Sequence, residues 1–259
     1  MSDSPRNREG GGFEQFPFII GWELTLSCTL SCAHCGSSAG EARSRELTLQ
    51  ESFDISDQFP DLMVQEVNFT GGEPLLNEHW AEIAGHLRRL GIAVKLVTNG
   101  VALSRNVVGR MSDLELAGIG ISVDGLAKTH DHLRGRKGLF EHILAMIRMI
   151  KGIDLPLTII TTVNAINVVE LPILLDILVS EGIRYWQVQP LFPQGRGRDD
   201  GGLKLSAKEF LWLGEFFSQW KSIAHDRGLE IMPSDSFGYY TERDKREPAW
   251  GKWDRAIGS

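Results

Sequence analysis

The sequence holds little cysteine, no excess of positive charge and no long apolar run, and each shortage excludes something. No apolar stretch approaches the ~20 residues a helix needs to cross a bilayer. The opening MSDSPRNREGGG has no apolar signal core, so the expectation is a cytoplasmic protein without a membrane segment. Asp and Glu outnumber Lys and Arg by 34 to 27, for a net charge of −7. A chain-wide basic field is therefore missing, which argues against nucleic acid or an anionic membrane as the main partner. Cysteine occurs 3 times in 259 residues, between positions 28 and 35 only. An odd number crowded into one segment is no disulfide framework, and in a reducing compartment such a group binds metal or does chemistry.

What is present is an ordinary globular composition, 42% apolar and 24% charged, at a length that fits one large α/β domain. Short β-like runs recur at 18–26, 66–70, 93–98, 118–123, 155–163 and 184–190. Between them apolar residues step with a helical period: Trp80, Ile83, Ala84 and Leu87; Phe140, Ile143, Leu144 and Ile147; Leu171, Leu174, Leu175 and Leu178. Thr48-x-x-Glu51 and Ser206-x-x-Glu209 read as capping boxes, and Gly91 and Gly182 sit where helices should end. Six strands alternating with helices predict a parallel sheet with right-handed crossovers. A doubly wound sheet and a (β/α) barrel both satisfy that pattern. The expected organisation is a polar, Gly-rich tail over residues 1–14, a barrel over 15–203 and a C-terminal extension over 204–259. That extension opens with a helix containing Phe210, Leu213, Phe217 and Trp220. LEIMP (229–233) is a candidate last strand, and the polar end carries Tyr239, Tyr240, Trp250 and Trp253.

Cys28-x3-Cys32-x2-Cys35 follows directly on the first strand. Three thiolates on one loop suit a soft metal centre. A closed [4Fe–4S] site normally takes four thiolates, so three would leave one iron open to another ligand. Two alternatives stand beside this reading: a zinc site with His34 as fourth ligand, and cysteines acting as small buried hydrophobes.

The second run ends in Gly71-Gly72-Glu73-Pro74, where two glycines allow close backbone approach and a carboxylate can accept hydrogen bonds from an ammonium. A tight turn before a helix explains it equally. Later runs also end in polar residues: Asn99 and Gly100, Ser122 and Asp124, Asn164, and Gln189 leading to Gly195 and Arg196. Parallel α/β folds place their ligand sites at these carboxyl ends. Any one of these positions alone is simply a turn.

On these residues the sequence resembles the radical S-adenosylmethionine (SAM) superfamily, whose signature is C-x3-C-x-φ-C with an aromatic at φ, here His34. The resemblance covers about residues 18–200. It implies an open (β/α)6 partial TIM barrel with a [4Fe–4S] cluster on Cys28, Cys32 and Cys35, and SAM as second cofactor. Gly71, Gly72, Glu73 and Pro74 would hold the SAM amino group. His34 would lie beside the adenine, with Ser122, Asn164, Asn99, Gln189 and Asp124 around SAM. Arg134, in His130-Asp131-His132-Leu133-Arg134, would face the SAM carboxylate, a sensible guanidinium pairing, although a plain surface arginine is nearly as good a description. His130 and His132 are expected as exposed loop histidines. The implied reaction is reduction of SAM to a 5′-deoxyadenosyl radical that abstracts hydrogen from a substrate. A one-electron donor such as a flavodoxin or ferredoxin would supply the electron.

QPLFPQGRG and the Ser122-x-Asp124-Gly125 motif are similar to the subgroup whose barrel precedes a Cys-rich SPASM-type domain. No cysteine follows Cys35, so the expectation is a chain stopping short of that domain. A peptide substrate is the first expectation and a small molecule or tetrapyrrole the second. A non-catalytic zinc or iron–sulfur module is the alternative of another class.

Overall fold

Each apolar run becomes a strand within a residue or two of its expected bounds. The computed structural model describes residues 18–153, 155–198 and 201–234. The expected tail (1–14) and the aromatic terminus with Tyr239, Tyr240, Trp250 and Trp253 lie outside them. In order, the strands are β1 (Ile19–Thr25), β2 (Glu66–Gly71), β3 (Ala93–Thr98), β4 (Gly118–Ser122), β5 (Leu157–Val163), β6 (Tyr185–Pro190) and β7 (Glu230–Pro233). Every neighbouring pair is parallel and the spatial order follows the sequence, giving an open sheet of 7 strands. A doubly wound sheet reverses its strand order at a switch point. This order never reverses, which settles the choice left by the sequence in favour of an open partial barrel. The expected six strands gain a seventh, because the candidate strand at LEIMP pairs with β6 in parallel.

The helices are α1 (Leu49–Ser56), α2 (Trp80–Arg89), α3 (Arg105–Asp113), α4 (Ala127–Arg134), α5 (Leu139–Ile150), α6 (Leu171–Ser180) and α7 (Ala207–Asp226). Both capping boxes form, at Thr48/Glu51 and Ser206/Glu209. Helices α3 and α4 had no clear apolar period. RNVVGRMSD buries only Val108 and Met111, and AKTHDHLR buries His130, Leu133 and Arg134, two of which are polar. Ser104 caps α3, and Gly135 ends α4 with φ of 70°.

Side chains alternate between the two faces of the sheet. The outward set, including Val67, Phe69, Val94, Leu96, Ile121, Ile159, Trp186 and Val188, is fully buried beneath the helices. At about 1.5–3 kcal/mol for each large apolar side chain, this layer is the main source of stability. The inward set is half-buried and largely polar: Asn68, Thr70, Lys95, Thr158, Thr162, Gln187 and Gln189, with Val97, Ile160 and Tyr185 among them. Its register is confirmed by contacts along that face. Lys95 pairs with Glu66 at 2.7 Å, Asn68 donates to Glu66 at 3.0 Å, and Gln189 donates to Thr162 Oγ1 at 3.2 Å. Gly118 and Gly120 leave the inner face of β4 without side chains until Ser122, and Ile160 and Val97 from the flanking strands close over Gly120. Among the described residues no helix is long and apolar enough to cross a membrane.

Candidate functional site

The cysteine loop leaves β1 at its carboxyl end and is tied at its base before any sulfur is considered. Cys28 N–H donates to Gly40 O at 2.9 Å, and Gly40 N–H to Leu26 O at 3.0 Å. Glu46 accepts from Thr25 Oγ1 and from Leu26 N–H. The Gly71–Glu73 segment then packs across the loop, with Gly72 N–H on Thr25 O and Glu73 N–H on Ser27 O, both at 2.8 Å. A Cβ on Gly71 or Gly72 would drive into the carbonyls of Thr25 or Ser27, and Gly71 has φ of 132°. Close approach is thus the reason for both glycines, as expected, but the chain they admit is the backbone of residues 25–27. Pro74 is buried at the first position of a short 3-10 turn, Pro74–Leu76.

Each cysteine sulfur accepts one N–H contact. Asn99 Nδ2 approaches Cys28 Sγ at 3.5 Å, Arg134 Nη1 approaches Cys32 Sγ at 3.8 Å, and Ala39 N–H approaches Cys35 Sγ at 3.4 Å. Cys32 is buried while Cys28 and Cys35 are half-buried. Burial pushes the Cys32 thiol up, with Arg134 opposing. Donors aimed at thiolates stabilise their anionic, ligating form and tune a bound iron–sulfur centre.

Glu73 is completely buried. Thr98 Oγ1 donates to its Oε1 and Asn99 N–H to its Oε2, both at 2.8 Å, and Leu75 N–H lies at 3.3 Å from Oε1. Burial raises its pKa against those three donors. Its oxygens thus tie β2 to the end of β3 and fix Asn99, the residue that faces Cys28. An ammonium acceptor was expected here; the structure puts neutral donors on the carboxylate.

Asp124, also completely buried, organises the other side. Its Oδ2 takes Arg134 Nε and Nη2 at 2.6 Å each and His34 Nε2 at 3.0 Å, while Oδ1 accepts Thr162 N–H at 2.9 Å. Burial works to raise its pKa, but Arg134 and His34 outweigh burial and hold the carboxyl well below the usual range. Arg134 is therefore neither a plain surface arginine nor facing open solvent: it links Asp124 to the Cys32 sulfur. His34 Nε2 is committed to Asp124 at 3.0 Å, while its Nδ1 is buried without a partner among the described residues.

The expectation of exposed loop histidines fails for His130. It lies on α4, is fully buried, and its Nδ1 accepts Asp124 N–H at 3.0 Å. Burial pushes its pKa down to about 4, Asp124 opposing, so the ring is neutral at ordinary pH. His130 and Arg134 are four apart, hence on one helix face; that signal was readable only once α4 was known to be a helix. His132, also on α4, is exposed.

Ser122 and Gln189 sit half-buried at the inner rim of β4 and β6. Asn164 is buried in a turn, accepting Ile166 N–H at 2.9 Å. Asn167, which the sequence did not single out, is fully buried; its amide donates to Asp124 O at 3.2 Å and Thr162 O at 2.9 Å. The structure thus brings Cys28, Asn99 and Glu73 into one group, and Cys32, His34, Asp124 and Arg134 into another. Asn164 supports its own turn beside the second group.

Among the described residues no three His, Cys, Asp or Glu side chains are placed to hold a single metal ion. A single-ion site needs its donors to converge within about 2.0–2.3 Å of one point. Thiolates spread around a multi-iron cluster need not. Three soft donors on one loop, each with its own N–H contact, therefore fit a cluster better than a lone zinc ion.

A family model described as "Radical SAM superfamily" matches residues 22–176. An AdoMet-dependent heme synthase of Methanosarcina barkeri is 35% identical over 183 residues, which are 70% of this chain and 52% of that protein. The mycofactocin maturase MftC of Mycolicibacterium smegmatis is 30% identical over 71% of this chain and 47% of its own length. The chain spans about half the length of these curated relatives. Among solved structures, Streptococcus suis SuiB bound to its precursor peptide SuiA superposes with a TM-score of 0.73 at 17% identity, over 85% of this chain and 49% of that one. That last likeness speaks to the fold.

Proposed function

The chain belongs to the radical SAM superfamily, and from that premise we propose that it binds a [4Fe–4S] cluster through Cys28, Cys32 and Cys35 and uses it to cleave SAM. The observation that carries this reading is the trio of loop sulfurs, each with an N–H contact, at the carboxyl end of an open parallel barrel. When bound, the cluster and SAM supply reductive cleavage of the sulfonium–C5′ bond and a carbon radical able to take hydrogen from a substrate.

The chain's own residues do the positioning. Glu73 locks the end of β3, so that Asn99 holds its amide against Cys28. Asp124 fixes Arg134 against Cys32 and holds the His34 ring through Nε2. Ser122 and Gln189, at the rim of the inner face, are the polar groups open to SAM. Residues 15–203 form the working barrel in this reading, with 204–259 as an extension whose α7 and β7 continue the sheet. The electron comes from a small donor of the flavodoxin or ferredoxin kind, consistent with a cytoplasmic setting.

We take the substrate to be a peptide. The inner face offers paired donors and acceptors in Asn68, Gln187, Gln189 and the threonines, which suit backbone amides. Lys95, the one basic residue on that face among the described strand residues, is already paired with Glu66. A tetrapyrrole, with several carboxylates, would be matched better by free arginines or lysines. The similarity to heme synthases supports that second reading.

The test is anaerobic incubation of the reconstituted protein with SAM and dithionite, measuring 5′-deoxyadenosine and methionine. Equal amounts of both are expected, with the rate rising on adding the substrate class. A peptide panel and a panel of carboxylated iron tetrapyrroles, compared side by side, decide between the two readings. No 5′-deoxyadenosine from a cluster-loaded protein contradicts the proposal.

A further inference from the structure

Arg196 reaches back across 164 residues to the cysteine loop and grips its carbonyls. Its backbone N–H donates to Cys35 O at 2.9 Å, its Nε to Cys32 O at 2.9 Å, and its Nη1 to Ala39 O at 2.7 Å. The preceding Gly195 has φ of 53°, and a Cβ there would overlap the carbonyl oxygens of Gly36 and Cys35. Gly197, one residue on, is buried against the carbonyl of His34. The turn Gly195–Arg198 therefore lies flush on the segment that carries two of the three sulfurs.

We infer that Arg196 is a positioning residue for the cluster: it clamps the cysteine loop in its ligating shape through three carbonyls before any iron arrives. Irregular backbone of this kind has few partners of its own, and every unpaired carbonyl favours competing conformations. A guanidinium supplies several donors in a fixed planar fork, so one side chain can hold two carbonyls at a set separation; a lysine ammonium has no such geometry. Because the two carbonyls belong to Cys32 and Ala39, the fork spans the loop and brackets Cys35 between them. Arg134 meets the same residue at its sulfur, so Cys32 is held both at its carbonyl and at its Sγ. It also makes the segment after β6 part of the cluster site, so that order in that segment and order in the cysteine loop rise and fall together.

The cluster half of this inference rests on the proposed function; the loop half does not. The test therefore begins with the full chain free of iron. Hydrogen exchange of residues 28–40 is compared in wild type, Arg196→Met and Arg196→Lys. Arg196→Met should speed exchange there by roughly tenfold or more, the scale of losing hydrogen bonds from a charged donor. Exchange in β2–β5 and the thermal melt should stay near wild type, and Arg196→Lys should restore part of the protection. Gly195→Ala, which forces the turn off the loop while keeping the guanidinium, should reproduce the Arg196→Met pattern. After anaerobic loading, Arg196→Met should lose iron to a chelator several-fold faster than wild type. The EPR g values of its reduced cluster should move, with Arg196→Lys falling between. Wild-type exchange in both Arg196→Met and Gly195→Ala would overturn the clamp. Fast exchange in a protein whose wild type never takes up a cluster would leave the clamp standing and remove the proposed function instead.

Discussion

The carboxylate after β2 and the carboxylate at the end of β4 are both completely sealed from solvent, yet their environments push them in opposite directions. Glu73 meets a hydroxyl and two backbone N–H groups, and burial wins, raising its pKa. Asp124 meets Arg134 and His34, and charge wins, holding its pKa far down. The difference separates two tasks. A carboxyl among neutral donors acts as a three-way hydrogen-bond acceptor that ties strand ends together. A carboxylate with a buried guanidinium is half of an ion pair, whose other half reaches the Cys32 sulfur. Opposed environments of this kind are how one fold assigns different roles to like side chains.

The comparison is broken most forcefully at Asp124. Asp124→Ala leaves Arg134 buried without its anion, which should cost about 3–5 kcal/mol of apo-protein stability in denaturant titration. A loss below about 1 kcal/mol would mean that the pair is not sealed as described.

The next largest effect is expected from His130, which burial holds neutral against the pull of Asp124. Its folded pKa of about 4 lies below the unfolded value near 6.5. As pH falls through that interval the unfolded chain takes the proton first, so stability drops progressively from about pH 6.5 to about pH 4, by about 3 kcal/mol. His130→Asn, which can still accept the Asp124 N–H, should flatten that slope; an unchanged slope would point to another group.

Glu73 gives the smallest effect. Glu73→Gln can still accept Asn99 N–H while its amide donates to a rotated Thr98 hydroxyl, so a cost of about 1 kcal/mol is expected. Its pH signature sharpens the contrast. A raised carboxyl pKa gives stability that is present below the unfolded value and lost as pH rises through the folded one. The neutral variant should therefore gain on wild type with rising pH, whereas Asp124→Asn should lose ground as pH rises toward about 4 and keep a constant deficit above it. Parallel pH curves for the two variants would erase the distinction.

Much of this was legible in the chain. The strands were, because apolar runs ended at Gly, Asn and Asp. Helices α3 and α4 were not, since α3 buries only Val108 and Met111, and the buried face of α4 carries His130 and Arg134 where a periodicity search looks for aliphatics. The three cysteines were legible from spacing, and Gly71-Gly72-Glu73-Pro74 from its composition. Their partners were not: Glu73 finds Thr98 and Asn99 some 25 residues away, Arg134 finds Cys32 at a separation of 102, and Arg196 finds Cys32 at 164. Contacts so far apart in sequence exist only once parallel strands have brought their carboxyl ends to one rim.

The central claim is an open iron held by three loop thiolates, and EPR of the anaerobically reconstituted, reduced protein with and without SAM tests it most directly. The account predicts a [4Fe–4S] signal whose g values shift on adding SAM, absent altogether in Cys35→Ala. A colourless wild-type protein carrying one zinc per chain, or a cluster signal indifferent to SAM, would contradict it.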